Sequence, residues 1–223
     1  MRQDIIIRFL CILIGYVFGN FQSAYFYGKL VGTDIRQHGS GNLGTTNALR
    51  VLGPKAGGIV LAGDMLKTIL AILLTWLLFG RGEYANIHFL FLYYTALGVI
   101  LGHDFPVWLK FKGGKGIACT AGLILSMHWS LTIAGILLFF PEFFIFHYVS
   151  IGSLLVNLGF VAWTVIAGQT GWLFSSMTQS ERVELYILAI LIAGLAFFQH
   201  RSNIKRLLAG KEGKVYLIKP KEI

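Results

Sequence analysis

The sequence predicts an all-α protein that crosses a membrane several times. Of its 223 residues, 56% are hydrophobic and only 13% are charged, whereas a soluble domain has about 25% charged residues. The mean hydropathy is +0.70, and this apolar content also argues against disorder. The apolar residues form continuous runs instead of alternating with polar ones, which favours helices over a β-barrel. We therefore expect one membrane-embedded domain over residues 1–223.

Five apolar runs lie along the chain, separated by polar links. They cover residues 5–30, 57–79, 87–101, 117–168 and 185–198. A transmembrane helix needs about 20 apolar residues, so the fourth run is long enough for three spans. We expect its breaks near Pro141 and near the cluster of Ser150, Gly152 and Ser153. The total is then seven transmembrane helices.

The charges of the links predict the orientation. The net charge is +9, and most of the basic residues lie in the segments 29–56, 104–116 and 200–223. Lys and Arg concentrate in cytoplasmic loops, so these segments are expected on the cytoplasmic side, with the N-terminus outside and the C-terminus inside. This bias explains the charge without nucleic acid, and the expected partner is the lipid bilayer of the inner membrane.

The first basic segment has the composition of an anion site. Gly39, Gly41 and Gly44 alternate with residues that carry small polar side chains, namely Ser40, Asn42, Thr45, Thr46 and Asn47. Glycines let successive backbone N–H groups turn toward an anion. One of the threonines is expected to cap a helix that runs through Arg50. The alternative is an ordinary flexible loop.

The second basic segment resembles a phosphate-binding loop. Gly113, Gly114 and Gly116 surround Lys115. It is not a Walker A loop, because Leu109 stands where that motif has glycine and Ile117 where it has Ser or Thr. ATP hydrolysis is therefore disfavoured. Turn glycines in a basic loop are an equally good interpretation.

Two further pairs of polar residues stand out. His200 and Asn203 are three residues apart, so they share one face if the last span continues as a helix. His200 taken alone is more typical of an interfacial residue. Asp64 and Lys67 lie inside the second span, where charges pair with each other or serve a site. A mutual ion pair is the simpler interpretation.

The remaining ionisable residues suggest no metal or cofactor. His128, Glu142 and His147 are interpreted as packing or interfacial residues. Cys11 and Cys119 lie in apolar segments, without the spacing of a disulfide framework or a zinc site.

Together, these motifs resemble one family, the bacterial acyl-phosphate:glycerol-3-phosphate acyltransferases (PlsY). The resemblance covers nearly the whole chain in the family's order. It rests on Asp34–Arg36, Gly39–Arg50, Gly63–Asp64 with Lys67, Gly102–His103, Phe105–Pro106, Phe111–Gly116, Tyr148–Ser150 with Ser153, and His200–Ile204 with Arg206, Gly210 and Glu212. Thr45 departs from the family's common alanine, and residues 169–184 look longer than usual.

The resemblance implies acyl transfer from an acyl phosphate to the 1-hydroxyl of glycerol 3-phosphate, the first acylation of bacterial phospholipid synthesis. It implies that the acceptor is bound by Ser40, Arg50, Lys115, His200 and Asn203. It implies that the donor phosphate is held by Gly41, Thr46 and Asn47, with Ser150. Either His200 or the donor's own phosphate acts as base. The soluble enzyme that makes acyl phosphate is the implied protein partner, and the site faces the cytoplasm.

Two other functions compete with this one. An organophosphate transporter would place glycine-rich broken helices at mid-membrane, and a membrane scaffold would lack convergence of the three polar segments. Acyl-CoA is a less suitable donor, because none of the six histidines is followed five residues later by the aspartate of a His-x-x-x-x-Asp dyad.

Overall fold

The computed structural model describes residues 2–216 and the side chains from Asp4 onward. In this part the chain forms helices and no strand. The α-helices are α1 (Arg2–Gly19), α2 (Ser23–Leu30), α3 (Thr45–Leu52), α4 (Pro54–Phe79), α5 (His88–Asp104), α6 (Ile117–Met127), α7 (Trp129–Phe146), α8 (Val149–Gln169), α9 (Gln179–Gln199) and α10 (Arg201–Leu208). Short 3-10 turns occur at Ile35–Gln37, Gly82–Tyr84 and Val107–Leu109. The tail charges Lys219, Lys221 and Glu222 lie outside the described residues.

Five segments of the described chain are long and apolar enough to cross a membrane. They are Asp4–Leu30, Pro54–Phe79, His88–Leu109, Trp129–Phe146 and Val149–Gln169. A sixth consists of α9 and α10, which meet at a bend of 59°. The 11 residues of α6 extend only about 16 Å, half the hydrocarbon thickness. The seven-span count and the orientation of the termini stay predictions.

The long apolar run 117–168 folds into three helices, but its breaks differ from those expected. Pro141 lies inside α7 and does not end it, because a membrane helix near its end tolerates the lost hydrogen bond. The chain turns instead at His128, which is extended, and at His147, which is left-handed with φ 64°. The Ser150 cluster begins α8, one turn after the second break.

The GxxxG spacing of α1 brings it against α5 at very short range, as expected for helix packing. A Cβ at Gly15 would collide with the carbonyl oxygen of Thr95, and one at Gly19 with that of Val99. The contact is reciprocal, because Gly98 of α5 faces the carbonyl of Ile12. Helix α5 is thereby the buried centre of the bundle, and α4, α6 and α9 pack around it.

The polar segments gather at one end of this bundle. Helix α3 packs on α4 and α2, and α10 extends from α9 at the same end. The tail crosses to the α7–α8 turn, where the amide of Val215 donates to the carbonyl of His147 at 2.9 Å. The α1–α2 loop is held by Lys67, which donates to the carbonyl of Phe21 at 2.6 Å. These contacts hold the polar segments together at this end of the bundle.

Candidate active site

A cavity of about 450 Å³ opens at the polar end of the bundle. Its wall has a polar part and an apolar part. Ten of the fourteen sequence-predicted site residues line it: Ser40, Asn42, Gly44, Thr46, Asn47, Arg50, Lys115, Ser150, His200 and Asn203. The other four, Gly41, Gly113, Gly114 and Gly116, do not line it. The three sequence-distant polar segments thus converge on one volume.

Residues from the first turns of four helices line this cavity. Thr45 and Thr46 begin α3, Ile117 and Ala118 begin α6, Val149 and Ser150 begin α8, and Asn203 lies in the first turn of α10. A helix N-terminus carries about half a positive charge and free N–H groups. Four of them around one volume make it attractive to anions, and Arg50 and Lys115 add full charges.

The loop before α3 is shaped by Asn47. The Asn47 Oδ1 accepts from the Ser40 amide at 2.9 Å, and its Nδ2 donates to the carbonyls of Ile35 and His38 at 3.3 and 3.1 Å. Asn47 is therefore fully engaged in the loop, although it lines the cavity. Gly41 turns away, toward a second, shallower cavity beside Lys112.

The capping prediction for this helix is wrong. Gly44, with extended backbone, is the N-cap of α3 and no side chain caps the helix. Thr45 and Thr46 are its first two residues, so their hydroxyls stay available. The Thr45 hydroxyl is buried without a hydrogen-bond partner among the described residues.

Asp34 caps the 3-10 turn Ile35–Gln37 that precedes this loop. The hydrogen bond from Arg36 lowers the pKa of the Asp34 carboxyl to about 2.

The glycines of the second loop position Lys115. The amides of Gly113 and Gly114 donate to the carbonyls of Asp104 and His103 at 3.1 and 3.0 Å, so they are not free to bind phosphate. A Cβ at either glycine would collide with the carbonyl or imidazole of His103. This tight packing directs Lys115 into the cavity, where it donates to Asn203 Oδ1. Burial lowers the pKa of the Lys115 ammonium to about 8.

The last span does not continue straight through His200, as the sequence interpretation assumed. It bends there by 59°, because the chain leaves helical geometry at His200 before α10 begins. The imidazole Nδ1 donates to the carbonyl of Ala196 at 2.7 Å. An imidazole nitrogen that faces a carbonyl carries the proton, so Nε2 is left with its lone pair. His200 and Asn203 are both buried and both line the cavity.

Glu212 is the main residue to which the sequence analysis gave no role. Its carboxylate accepts from Asn203 Nδ2 at 2.6 Å, from Arg206 Nε at 2.7 Å and from Ser150 Oγ at 3.2 Å. Burial raises the pKa of Glu212, but the hydrogen bonds from Asn203 and Arg206 outweigh it and lower the pKa. The sequence feature that could have indicated this role is the presence of Glu212 in the tail motif that carries the family resemblance.

The intramembrane charges form the ion pair that the sequence predicts. The Lys67 Nζ lies 2.9 Å from Asp64 Oδ1 and 2.9 Å from His103 Nδ1, and Ser23 donates to the same Asp64 oxygen at 2.8 Å. Asp64 and His103 also reach the cavity wall. No group of three His, Cys, Asp or Glu side chains within residues 2–216 is arranged to hold a metal ion.

Known proteins resemble this chain over most of its length. A family model described as glycerol-3-phosphate acyltransferase matches residues 9–210. The glycerol-3-phosphate acyltransferase of Thermoanaerobacter sp. (strain X514) is 39% identical over 92% of this chain and 94% of its own. The glycerol-3-phosphate acyltransferase of Bacillus subtilis (strain 168) is 37% identical, over 92% of this chain and 96% of its own.

Solved structures agree with these sequence comparisons. The crystal structure of PlsY (YgiH), an integral membrane glycerol 3-phosphate acyltransferase, in its glycerol 3-phosphate form has a TM-score of 0.80 and 32% identity. It covers 94% of this chain and 96% of its own. The lysophosphatidic acid form of PlsY has a TM-score of 0.76 and 30% identity.

Proposed function

The chain belongs to the glycerol-3-phosphate acyltransferase family, and we propose that it transfers a fatty acyl group from an acyl phosphate to the 1-hydroxyl of sn-glycerol 3-phosphate. The products are lysophosphatidic acid and inorganic phosphate. The observation that carries the proposal is the two-part cavity, in which a cationic volume with four helix N-termini adjoins an apolar groove.

The acceptor is bound at the side of Arg50, Lys115 and Asn203. The two cations attract its phosphate, and the Asn203 amide joins Lys115 to the tail. Ser40 lies on the same wall. A phosphate held there leaves the glycerol hydroxyls free to point toward His200, whose Nε2 can accept a hydrogen bond from the 1-hydroxyl.

The donor phosphate is bound between the first turns of α3 and α8. Thr46 and Ser150 supply hydroxyl groups there, and the helix termini supply backbone N–H groups. Gly41 and Asn47 contribute by shaping the loop, since neither offers a free donor to the cavity. The positive field also stabilises the charge that develops on the leaving phosphate.

The reaction needs no covalent enzyme intermediate, because the mixed anhydride already has a good leaving group. The acceptor oxygen attacks the acyl carbon, the bond from that carbon to the phosphate oxygen breaks, and phosphate departs with the electron pair. The hydroxyl proton passes to His200 Nε2 or to the departing phosphate. The enzyme contributes orientation and electrostatic stabilisation.

The site faces the cytoplasm in this proposal, because the cavity lies at the end of the bundle that carries the basic segments. The protein is then a multi-pass enzyme of the inner membrane. The soluble enzyme that makes acyl phosphate is its proposed partner, since a reactive lipid anhydride is best handed directly to its consumer.

One assay tests this function. Purified protein in detergent or a lipid mesophase receives palmitoyl phosphate, with or without glycerol 3-phosphate, and both phosphate and lysophosphatidic acid are measured. We expect equal release of the two, dependent on the acceptor. A transporter or a scaffold would give neither product.

A further inference from the structure

The apolar part of the cavity is a groove between α6 and α7. Helix α6 contributes Ala121, Ile124 and Leu125 to it, and α7 contributes Thr132, Gly135 and Phe139. The α7 residues follow at spacings of three and four, so they share one helix face. The groove begins near the two cations of the cavity, since Ile117 lies two residues after Lys115 and both line the cavity. It therefore has the position and polarity for the hydrocarbon chain of a lipid whose phosphate lies among the helix termini.

The lining of this groove stops next to the α6–α7 turn, at Leu125 on α6 and Thr132 on α7. Helix α6 ends at Met127, and His128 caps α7 by accepting from the Ser130 amide at 3.2 Å. The Thr132 hydroxyl donates to the carbonyl of Ile124 at 3.4 Å across this turn. Because α6 is only about 16 Å long, the groove ends partway through an apolar layer of about 30 Å.

We propose that this end of the groove, at the α6–α7 turn, sets the acyl-chain length of the donor, and that Gly135 leaves the space that its last methylenes occupy. The proposal rests on the proposed acyl transfer. A Cβ at Gly135 would lie 3.6 Å from Ile124 Cγ2, an ordinary contact, so a side chain fits there and would occupy the last part of the groove.

Length selection follows from the burial of methylene groups. Each methylene that moves from water into the groove strengthens binding by up to about a factor of four, whereas one that moves there from lipid or detergent gains only packing contacts. Either gain stops where the lining of the groove ends. A longer chain must then leave sideways past Leu125 and Ile136, which are 46% and 48% exposed, and gains little more.

The test compares saturated acyl phosphates from octanoyl to stearoyl as donors for purified, full-length protein, with kcat/KM measured for each. In the wild type, kcat/KM rises with length and then levels off. In Gly135→Leu, the plateau begins at shorter chains, and the longest donors lose at least about tenfold relative to the wild type. Gly135→Ala shifts the profile in the same direction by less.

The short donors and a matched variant serve as controls. Octanoyl phosphate should react with Gly135→Leu at the wild-type rate, which shows that the variant is folded. Gly194→Leu makes the same change on α9, at a glycine with open space around it, and should leave the profile unchanged.

Two outcomes would overturn the length assignment. One is an unchanged chain-length profile in an active Gly135→Leu, which would mean that the chain leaves the protein sideways. The other is a kcat/KM of Gly135→Leu that falls by the same factor with every donor, short or long. If the wild type used no acyl phosphate at all, the proposed function itself would fail, and this result is distinguishable because it appears before any variant is compared.

Discussion

The Arg50 guanidinium donates a hydrogen bond to the carbonyl of Gly213, 2.9 Å away. This contact joins α3 to the C-terminal tail across the mouth of the cavity. The same tail segment is tied to α8 and α10 through Glu212, which accepts from Ser150 and Asn203. The cation proposed to bind the acceptor phosphate therefore also holds the C-terminal tail against the cavity wall.

The first prediction concerns the two cations. Lys115→Ala should lower kcat/KM for glycerol 3-phosphate by about two orders of magnitude, since the loss of a charged contact in a partly dry site costs about 2–4 kcal/mol. Arg50→Ala should lower it by less, because Arg50 is exposed to solvent. Lys112→Ala is the control, because Lys112 belongs to the same loop but is exposed and outside this cavity. Wild-type kinetics in Lys115→Ala would refute its role in anchoring phosphate.

The second prediction concerns pH. Burial lowers the pKa of Lys115 to about 8, so in the free enzyme this group is charged below that pH and becomes neutral above it. The KM for glycerol 3-phosphate should therefore rise as the pH passes 8. Lys115→Arg keeps its charge throughout this range and should remove the rise. A wild-type KM that stays constant well above pH 8 would contradict this account.

The third prediction separates the two possible bases. His200→Ala should lower kcat by about 10²–10⁴-fold, since both alternatives require the imidazole near the acceptor hydroxyl. His200→Asn restores a hydrogen-bonding side chain without a proton acceptor of useful pKa. Measurable activity with a flat pH profile in His200→Asn identifies the donor phosphate as the base, whereas inactivity identifies His200. Full activity of His200→Ala would remove this residue from the site.

The fourth prediction concerns topology. Single cysteines at Gln37, Lys112 and Lys211 should react only with reagents that reach the cytoplasm, and one at Gln179 should react from outside. All four positions are exposed, whereas the native Cys11 and Cys119 are buried and give little background. Labelling of position 211 from outside would break the proposed orientation.

The sequence predicted the class of fold and ten of the residues that line the polar part of the cavity. Long apolar runs fix helices because the bilayer leaves the backbone no other partner. The glycine, hydroxyl and amide residues before Arg50 were found because such density is unusual in a plain loop. His200 and Asn203 were found because their spacing of three puts them on one helix face.

The failures depend on three-dimensional contacts. Pro141 was taken as a break, but the helix continues through it to the left-handed turn at His147. For Gly113 and Gly114 the sequence left two interpretations open, phosphate donors or turn glycines, and their amides pair with α5 carbonyls. The role of Glu212 depends on Ser150, 62 residues away in sequence, and no local pattern reveals such a contact.

The donor specificity tests the central claim most directly. Purified protein, with a chelator present, is given glycerol 3-phosphate and one of three donors: palmitoyl phosphate, palmitoyl-CoA or palmitoyl acyl carrier protein. We predict lysophosphatidic acid from palmitoyl phosphate alone, with inorganic phosphate as a competitive inhibitor of that donor, because both would occupy the first turns of α3 and α8. Steady lysophosphatidic acid formation from palmitoyl-CoA, with no source of acyl phosphate, would contradict the account.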